Sequence, residues 1–502
     1  MGLPSLPMLV VVIILLLLAT LMATDSDRGS CDGSQQFVRY PRPPRKISMP
    51  TLPRFARPAL FGLTLCMALS GAAQGATVAP LPRPLTLPAA LSYALEHNPG
   101  LRGVREQLAR QDGVLLEANA LRLPSVGLNG SYAYSEPRQF EGFPGFDQVP
   151  KPDPNAWQVG VGIRQLVYSG GGVDARRRSA QERLDAARNT MTGAVNQTIF
   201  AVEESFFDVL LAREQIKVQE EAVQVLKREV EQARVRRKAG TGSDFEMLRS
   251  SVAVANARPA LVRARNAYRA HQDALRTVLG ATVEPTDDGE TELEVQGQLS
   301  VPPVALGLAD AIHAARVHRP ELLANERIIL AGQEDIKLAK SGQRPQVSLV
   351  GGYALRKATY SNSLGETLNG LTVGAQVDWS IFDGRATQAR VKQATAQAAQ
   401  AVAAQDELIL RIDLEVRNAH RALAEAADLL VSAEKVVEEA AESLRLAQAR
   451  LAAGTANQLD VLAAQSALTE ARSNQSQAQH DYAVSAARLL AVTGTTSIPE
   501  KA

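Results

Sequence analysis

Histidines and cysteines are the side chains from which this chain could build an acid–base or metal-binding site. Of the six histidines, only His313 and His318 lie close in sequence, and a five-residue spacing does not place both on one face of a helix. No H-E-x-x-H, G-x-S-x-G or P-loop motif accompanies them. Both cysteines, Cys31 and Cys66, precede residue 77. We therefore expect no enzyme activity, no metal site and no cofactor.

The N-terminal region carries the signals of secretion. Arg54 and Arg57 precede the apolar run Ala59 to Ser70, and small residues follow it at positions 72–76. This is the pattern of a cleaved signal peptide. We interpret residues 1–48 as a non-native extension and residues 49–76 as the signal peptide. The alternative is that the earlier apolar run, Met8 to Met22, is a membrane anchor, although a span needs about 20 residues.

Composition excludes one class of partner. Lysine and arginine number 54, aspartate and glutamate 53, so the chain has no net basic field. Capture of nucleic acid depends on such a field, and we expect no nucleic-acid partner. An aromatic content of 4% suits long packed helices better than a thick globular core.

Two sets of residues recur at a fixed offset. The first set recurs 221 positions later, with Pro99, Pro124 and Tyr132 repeated as Pro320, Pro345 and Tyr353. The second recurs 214 positions later, with Gly160, Gly170, Gly240 and Gly280 repeated as Gly374, Gly384, Gly454 and Gly494. Because solenoid units run only about 20–50 residues, this is a duplicated domain half. We assign residues 77–304 and 305–502 to two structural repeats.

Each repeat has the same predicted order of elements. The first comprises an opening helix at Thr86–Arg122, strands at 125–135 and 156–168, a long helix at 172–238, a return helix at 244–279 and a connector at 281–304. The second comprises an opening helix at 306–343, strands at 346–355 and 371–382, a long helix at 386–452, a return helix at 458–493 and a short tail. Pro259 predicts a local kink or an early break in the first return helix.

The four predicted strands alternate between apolar and polar side chains. Small or polar residues, including Arg164, Gln376 and Asp378, share one parity, and apolar or aromatic residues share the other. Segments of about ten residues with this alternation are typical of strands that cross an outer membrane, with polar residues facing the lumen. A soluble antiparallel sheet with one wet face has the same alternation and remains the alternative.

The two long helices are free of proline and carry a coiled-coil repeat. In the second, apolar residues from Ile412 to Leu451 recur at steps of four and three, a period of about 3.5 residues. At 1.5 Å per residue each helix is a rod about 100 Å long. A return helix plus an opening helix matches one rod in length, so a protomer is predicted to be four helical columns beneath four strands. Four strands cannot close a membrane barrel by themselves.

The chain resembles the TolC family of outer-membrane efflux and secretion channels over residues 85 to 494. The resemblance rests on the order of elements, Gly170, the Asp383-Gly384 elbow, Ala453-Gly454-Thr455, and the segments Leu459 to Leu462 and Ala467 to Arg472. It implies a homotrimer in the outer-membrane lipid of a Gram-negative bacterium, with a twelve-stranded barrel above a periplasmic helical tunnel. It also implies two partners: a periplasmic adaptor and an inner-membrane transporter, either ABC or proton-driven. A soluble or periplasmic coiled-coil scaffold protein without a pore is the alternative. Drugs, metals and secreted proteins all remain open as cargo.

The resemblance also implies site residues. Asp460 matches an entrance carboxylate of the family, and Glu246 holds the equivalent place in the first repeat. Family gating residues are replaced by Leu451, Ala456 and Ala463, so we expect gating through Arg237 or Arg450 with Glu246. Adaptor docking is expected at the turns, which comprise Gly240, Thr241, Gly454 and Thr455. The simpler interpretation is that these charges are solvated groups on a loop tip.

Overall fold

The computed structural model describes residues 81–136, 153–281, 293–358 and 366–495. The proposed N-terminal extension and signal peptide lie outside these ranges. The described elements are α1 Leu87–His97, α2 Pro99–Ala120, β1 Ser125–Tyr134, β2 Asn155–Tyr168, α3 Gly172–Lys238, α4 Asp244–Leu279, α5 Leu308–His318, α6 Pro320–Ser341, β3 Gln346–Lys357, β4 Thr367–Asp378, α7 Ala386–Ala452 and α8 Gln458–Thr493.

Both opening helices are divided in two, where the sequence pattern predicted one. The breaks fall at Asn98 and Arg319, whose extended backbone has ψ of 123° and 117°. Each precedes a proline, Pro99 or Pro320, and the proline ring disfavours the helical conformation of the residue before it. A proline then suits the first turn of the next helix, where its missing N–H leaves no bond unmade. Pro259, by contrast, lies inside α4, which runs unbroken over Asp244–Leu279.

The long helices α3 and α7 each contain 67 residues, about 100 Å of rod. Within α7 the apolar stripe is buried at Ile412, Val416, Ala419 and Leu423. Each long helix packs along its return helix, and α3 also packs against α6 and α8, so the two repeats share one helical body. Its apolar core is richest near the middle of the rods, where Phe206, Val209 and Leu275 are almost fully buried.

The four strands form one antiparallel sheet in the order β1-β2-β3-β4. Leu128, Val161, Tyr353 and Leu371 lie side by side across it and define an apolar face. The neighbouring row, Gly127, Gly162, Gly352 and Thr372, belongs to the opposite face of small and polar residues. The apolar face is open, with Leu128 64% and Leu371 74% exposed. The sheet therefore presents an uncovered hydrophobic surface.

Strand β4 lies a few residues earlier than the predicted 371–382. It begins at Thr367 and ends at Asp378. Beyond its end, the indole Nε1 of Trp379 donates to the carbonyl of Gln343 at 3.1 Å. Trp379 thus forms a hydrogen bond with the segment between α6 and β3 and does not extend strand β4.

Within the described residues, no helix is both long enough and apolar enough to cross a membrane.

Candidate functional site

The turns that join each long helix to its return helix have matching geometry. Gly240 and Gly454 adopt left-handed backbone, with φ of 72° and 69°. The threonine after each glycine donates its backbone N–H to a carbonyl of the long helix, Thr241 to Arg236 at 3.0 Å and Thr455 to Arg450 at 2.9 Å. A Cβ at either glycine would meet no atom of the described residues within 4 Å. Both turns are therefore narrow and open to an approaching partner.

The two predicted entrance carboxylates cap the return helices. The Glu246 carboxylate accepts the backbone N–H of Ser243 at 3.4 Å, while the Ser243 hydroxyl accepts that of Glu246 at 3.2 Å. Asp460 and Asn457 make the same reciprocal pair, at 3.0 and 3.1 Å. Each pair is a capping box, which satisfies two otherwise unpaired N–H groups. The carboxylates are consequently fixed in position at the turns.

Arg237 does not pair with Glu246 among the described residues, and a gating role for this pair stays a prediction. Arg237 instead forms an ion pair with Asp244. Asp244 opens α4, where the positive end of the helix dipole favours a carboxylate, and Glu246 is already occupied by its cap. The predicted alternative partner for Glu246, Arg450, lines a groove beside the other turn.

A buried polar network near the turns joins the two repeats, and sequence reasoning missed it. Arg236 Nη2 donates to Gln458 Oε1 at 2.6 Å, and Gln458 Nε2 donates to Glu229 Oε2 at 3.0 Å. Glu229 and Gln458 are 4% and 3% exposed. We call Glu229, Arg236 and Gln458 the cross-repeat network. The sequence signal for this network is a difference between the two repeats: Gln458 occupies the position that Asp244 holds in the first repeat.

A groove of about 1160 Å³ runs beside the second turn, between α7 and α8. We call it the second-turn groove. Its charged lining residues are Lys435, Glu438, Glu439, Glu442, Arg450 and Asp460. Because the excess charge is negative, the groove favours a partner surface that carries basic side chains.

The structure brings the three predicted polar strand residues together. Arg164 Nη2 lies 3.7 Å from Asp378 Oδ2, and Gln376 Nε2 donates to Asp378 Oδ1 at 3.0 Å. All three belong to the small and polar face of the sheet, and they lie near the ends of β2 and β4 that lead into the long helices. The side chains of Arg164 and Asp378 are each 54% exposed. This cluster marks the junction of sheet and helices.

A second link between α3 and α8 lies at His480. Its Nε2 is 2.9 Å from Asp208 Oδ1 and its Nδ1 is 3.0 Å from Asp481 Oδ1. His271 of α4 approaches the other oxygen of Asp208 at 3.9 Å. Burial by itself would lower the pKa of His480, but the hydrogen bonds to the two carboxylates outweigh it, so that pKa is raised.

Replacing His480 with glutamine should destabilise the protein more in acid than in alkali. The pKa of His480 is higher in the folded protein than in the unfolded chain, where it is about 6.5. The stabilisation that its two carboxylate partners provide is therefore complete below a pH of about 6.5, and it is lost as the pH rises through the folded-state pKa. Hydrogen bonds to charged groups each contribute about 2 kcal/mol. Thermal loss of helical circular dichroism at pH about 5.5 and about 9 measures the effect. The matched control is His313→Gln at an exposed position. An equal loss for His480→Gln at both pH values would contradict the prediction.

Comparison with known proteins supports one family. The model described as Outer membrane efflux protein matches residues 90–281 and 311–495, one block in each repeat. Outer membrane protein TolC of Vibrio cholerae is 24% identical over 418 residues, which are 81% of this chain and 90% of the relative. Outer membrane efflux protein BepC of Brucella suis is 24% identical over 418 residues, covering 82% and 85%. The crystal structure of VceC from Vibrio cholerae superposes with a TM-score of 0.66 at 17% identity, covering 81% of this chain and 96% of that one.

Proposed function

We propose that three copies of this chain close one pore. The premise is its family: the chain belongs to the outer membrane efflux protein family and is an outer-membrane channel for efflux or type I secretion. The family is one of channels, not of enzymes. The pore carries substrate passively, and the energy comes from an inner-membrane transporter.

The observation that supports a trimer is the open four-stranded sheet. Strands β1 and β4 each leave one edge unpaired within the described residues. In lipid, every unpaired backbone group costs several kcal/mol, so the edges must pair with other copies. Two copies would give eight strands, whose interior side chains fill. Three copies of four strands give twelve, which leave room for a passage.

The helical part also presents an uncovered side. Phe245, Leu248, Val252 and Val262 form a stripe on α4 at helical spacing, and each is at least 49% exposed. In the proposed trimer a helix of the neighbouring copy covers this stripe. The same assembly directs the apolar sheet face to lipid and the cluster of Arg164, Gln376 and Asp378 to the lumen.

Paired cysteines test the proposed edge-to-edge contact. One cysteine in β1 and one in β4, placed on the same face and scanned along the strands, should yield dimer and trimer bands without reductant. The control is the pair Val161→Cys and Tyr353→Cys, which are register partners inside one sheet and should cross-link only within a chain. Monomer bands alone for every β1–β4 pair would overturn the proposal.

We further propose that the turns dock a periplasmic adaptor, which connects the channel to an ABC or proton-driven transporter. Gly240, Thr241, Gly454 and Thr455 leave space for a helical hairpin. The second-turn groove then selects a hairpin that carries basic residues, because of its acidic excess.

The entrance role of Asp460 and Glu246 is a separate proposal. In a trimer they place six carboxylates near the tunnel mouth. Replacing both with alanine should raise single-channel conductance or weaken block by multivalent cations in planar bilayers. Because alanine also removes two caps at about 1 kcal/mol each, Asp460→Asn with Glu246→Gln serves as the matched variant that removes charge and keeps a capping oxygen. Unchanged conductance and block in both variants would refute the role.

A further inference from the structure

An apolar cavity of about 440 Å³ lies beside the middle of α3. Its walls come from four parts of the fold: α1, α3, α8 and the connector between the repeats. Carbon-rich side chains dominate the lining, among them Leu87, Phe206, Phe207, Val301, Val304 and Leu490. The volume falls in the range of about 300–1,000 Å³ that is typical of small-molecule sites.

Glu203 is the one ionisable side chain among the described residues that line this cavity. Within the described part of the chain, no hydrogen bond or ion pair joins its carboxyl group to another residue. Burial raises its pKa above the ordinary value. A carboxylate in such surroundings lacks the partner that would offset its lost hydration, and a positive charge would supply it.

The aromatic wall is held in place by close packing. Phe206 is 2% and Phe207 is 7% exposed, and their rings meet edge to face with centroids 6.5 Å apart. A Cβ on Gly297 of the connector would lie 3.1 Å from Phe206 Cε1, so the connector backbone packs close to that ring. The cavity wall is therefore preformed in the protein and does not depend on a ligand to shape it.

We propose that this cavity binds small aromatic cations, with the positive group against the Glu203 carboxylate and the ring system against Phe207 and the apolar wall. An aromatic cation has an apolar ring system, which suits the carbon-rich wall, and a positive charge, which pairs with the Glu203 carboxylate. Attraction between a cation and an aromatic face adds to the pairing. The site lies in the middle of the rods, apart from both turns.

Two ligands of the same ring shape separate the role of charge from that of the ring. At pH about 7.5, 9-aminoacridine is a cation and acridine is neutral, and their fluorescence reports binding to the full chain in detergent. We expect the wild-type protein to bind 9-aminoacridine at least about tenfold more tightly than acridine. Protein-free micelles give the background partition of each ligand.

Glu203→Gln should remove the preference for the cation and leave acridine binding unchanged. Glu204→Gln is the matched control, since Glu204 is the next residue of α3 and does not line the cavity. Ala487→Leu narrows the cavity and should weaken both ligands. Equal binding of the two ligands to the wild-type protein, or a preference that survives Glu203→Gln in a protein of unchanged helicity, would overturn the proposal. The single-channel conductance of Glu203→Gln should match that of the wild type, because the cavity is not part of the conducting pore. The ligand-binding result therefore tests the cavity separately from the proposed channel function.

Discussion

Replacing Gly240 and Gly454 together with phenylalanine is expected to abolish export while the channel still assembles in the outer membrane. In the part of the chain that the structure describes, a Cβ at these positions meets no atom within 4 Å, so the side chains project from the turns into the space where an adaptor hairpin would dock. The left-handed backbone adds strain of about 1–2 kcal/mol per substitution, too little to unfold rods of this length. Export is measured in a deletion strain complemented with each variant, against a panel of antibiotics, metal salts and secreted protein.

Gly384→Phe is the control for the backbone strain that phenylalanine introduces at a left-handed position. Gly384 has a similar φ of 62° and equally open surroundings, but it precedes α7 at the end of the rod opposite the second turn. The control should assemble and export as the wild type does. Normal export by the Gly240→Phe, Gly454→Phe variant, with wild-type amounts in the membrane, would count against docking at the turns.

The second large effect is expected from Gln458→Ala, which breaks the cross-repeat network. The substitution leaves the buried Glu229 carboxylate and the half-buried Arg236 guanidinium without their shared partner, and a buried charged group left unsatisfied, such as Glu229, costs about 3 kcal/mol or more. Because the network ties α3 of one repeat to α8 of the other near the turns, its loss should loosen that end of the tunnel. Resting single-channel conductance in planar bilayers should rise severalfold.

Gln465→Ala is a closely matched control. Gln465 lies on the same helix and is 6% exposed, yet among the described residues its side chain bonds only Thr469 of that helix, at 3.3 Å. It should leave conductance near the wild-type value. Wild-type conductance for Gln458→Ala, or an equal increase for both variants, would rule out a gating role for the network.

The elements that are long and regular could be predicted from sequence alone. Alternation along β1–β4 and the proline-free repeat of α3 and α7 are repeated many times, so one irregular residue does not hide them. The breaks at Asn98 and Arg319 were missed because an apolar stripe continues across each proline. The start of β4 at Thr367 was missed because its first residues lie in a polar stretch beside a loop.

The candidate site was predictable only where local chemistry determines it. Gly240 and Gly454 mark turns whose backbone few other residues adopt. The three-residue spacing of Ser243 with Glu246 and of Asn457 with Asp460 is that of a capping box, which can be recognised from the sequence. The cross-repeat network could not be found this way, since Gln458 and Glu229 are 229 residues apart and their contact depends on how two helices pack.

The copy number of the detergent-extracted protein tests the central claim most directly. Native mass spectrometry of the full chain, with detergent removed in the gas phase, reports that number without a model of shape. We expect three copies, because the sheet of the described residues has four strands and two unpaired edges, which further copies must pair to close a barrel in lipid. A single copy that still conducts ions in a planar bilayer would contradict the account.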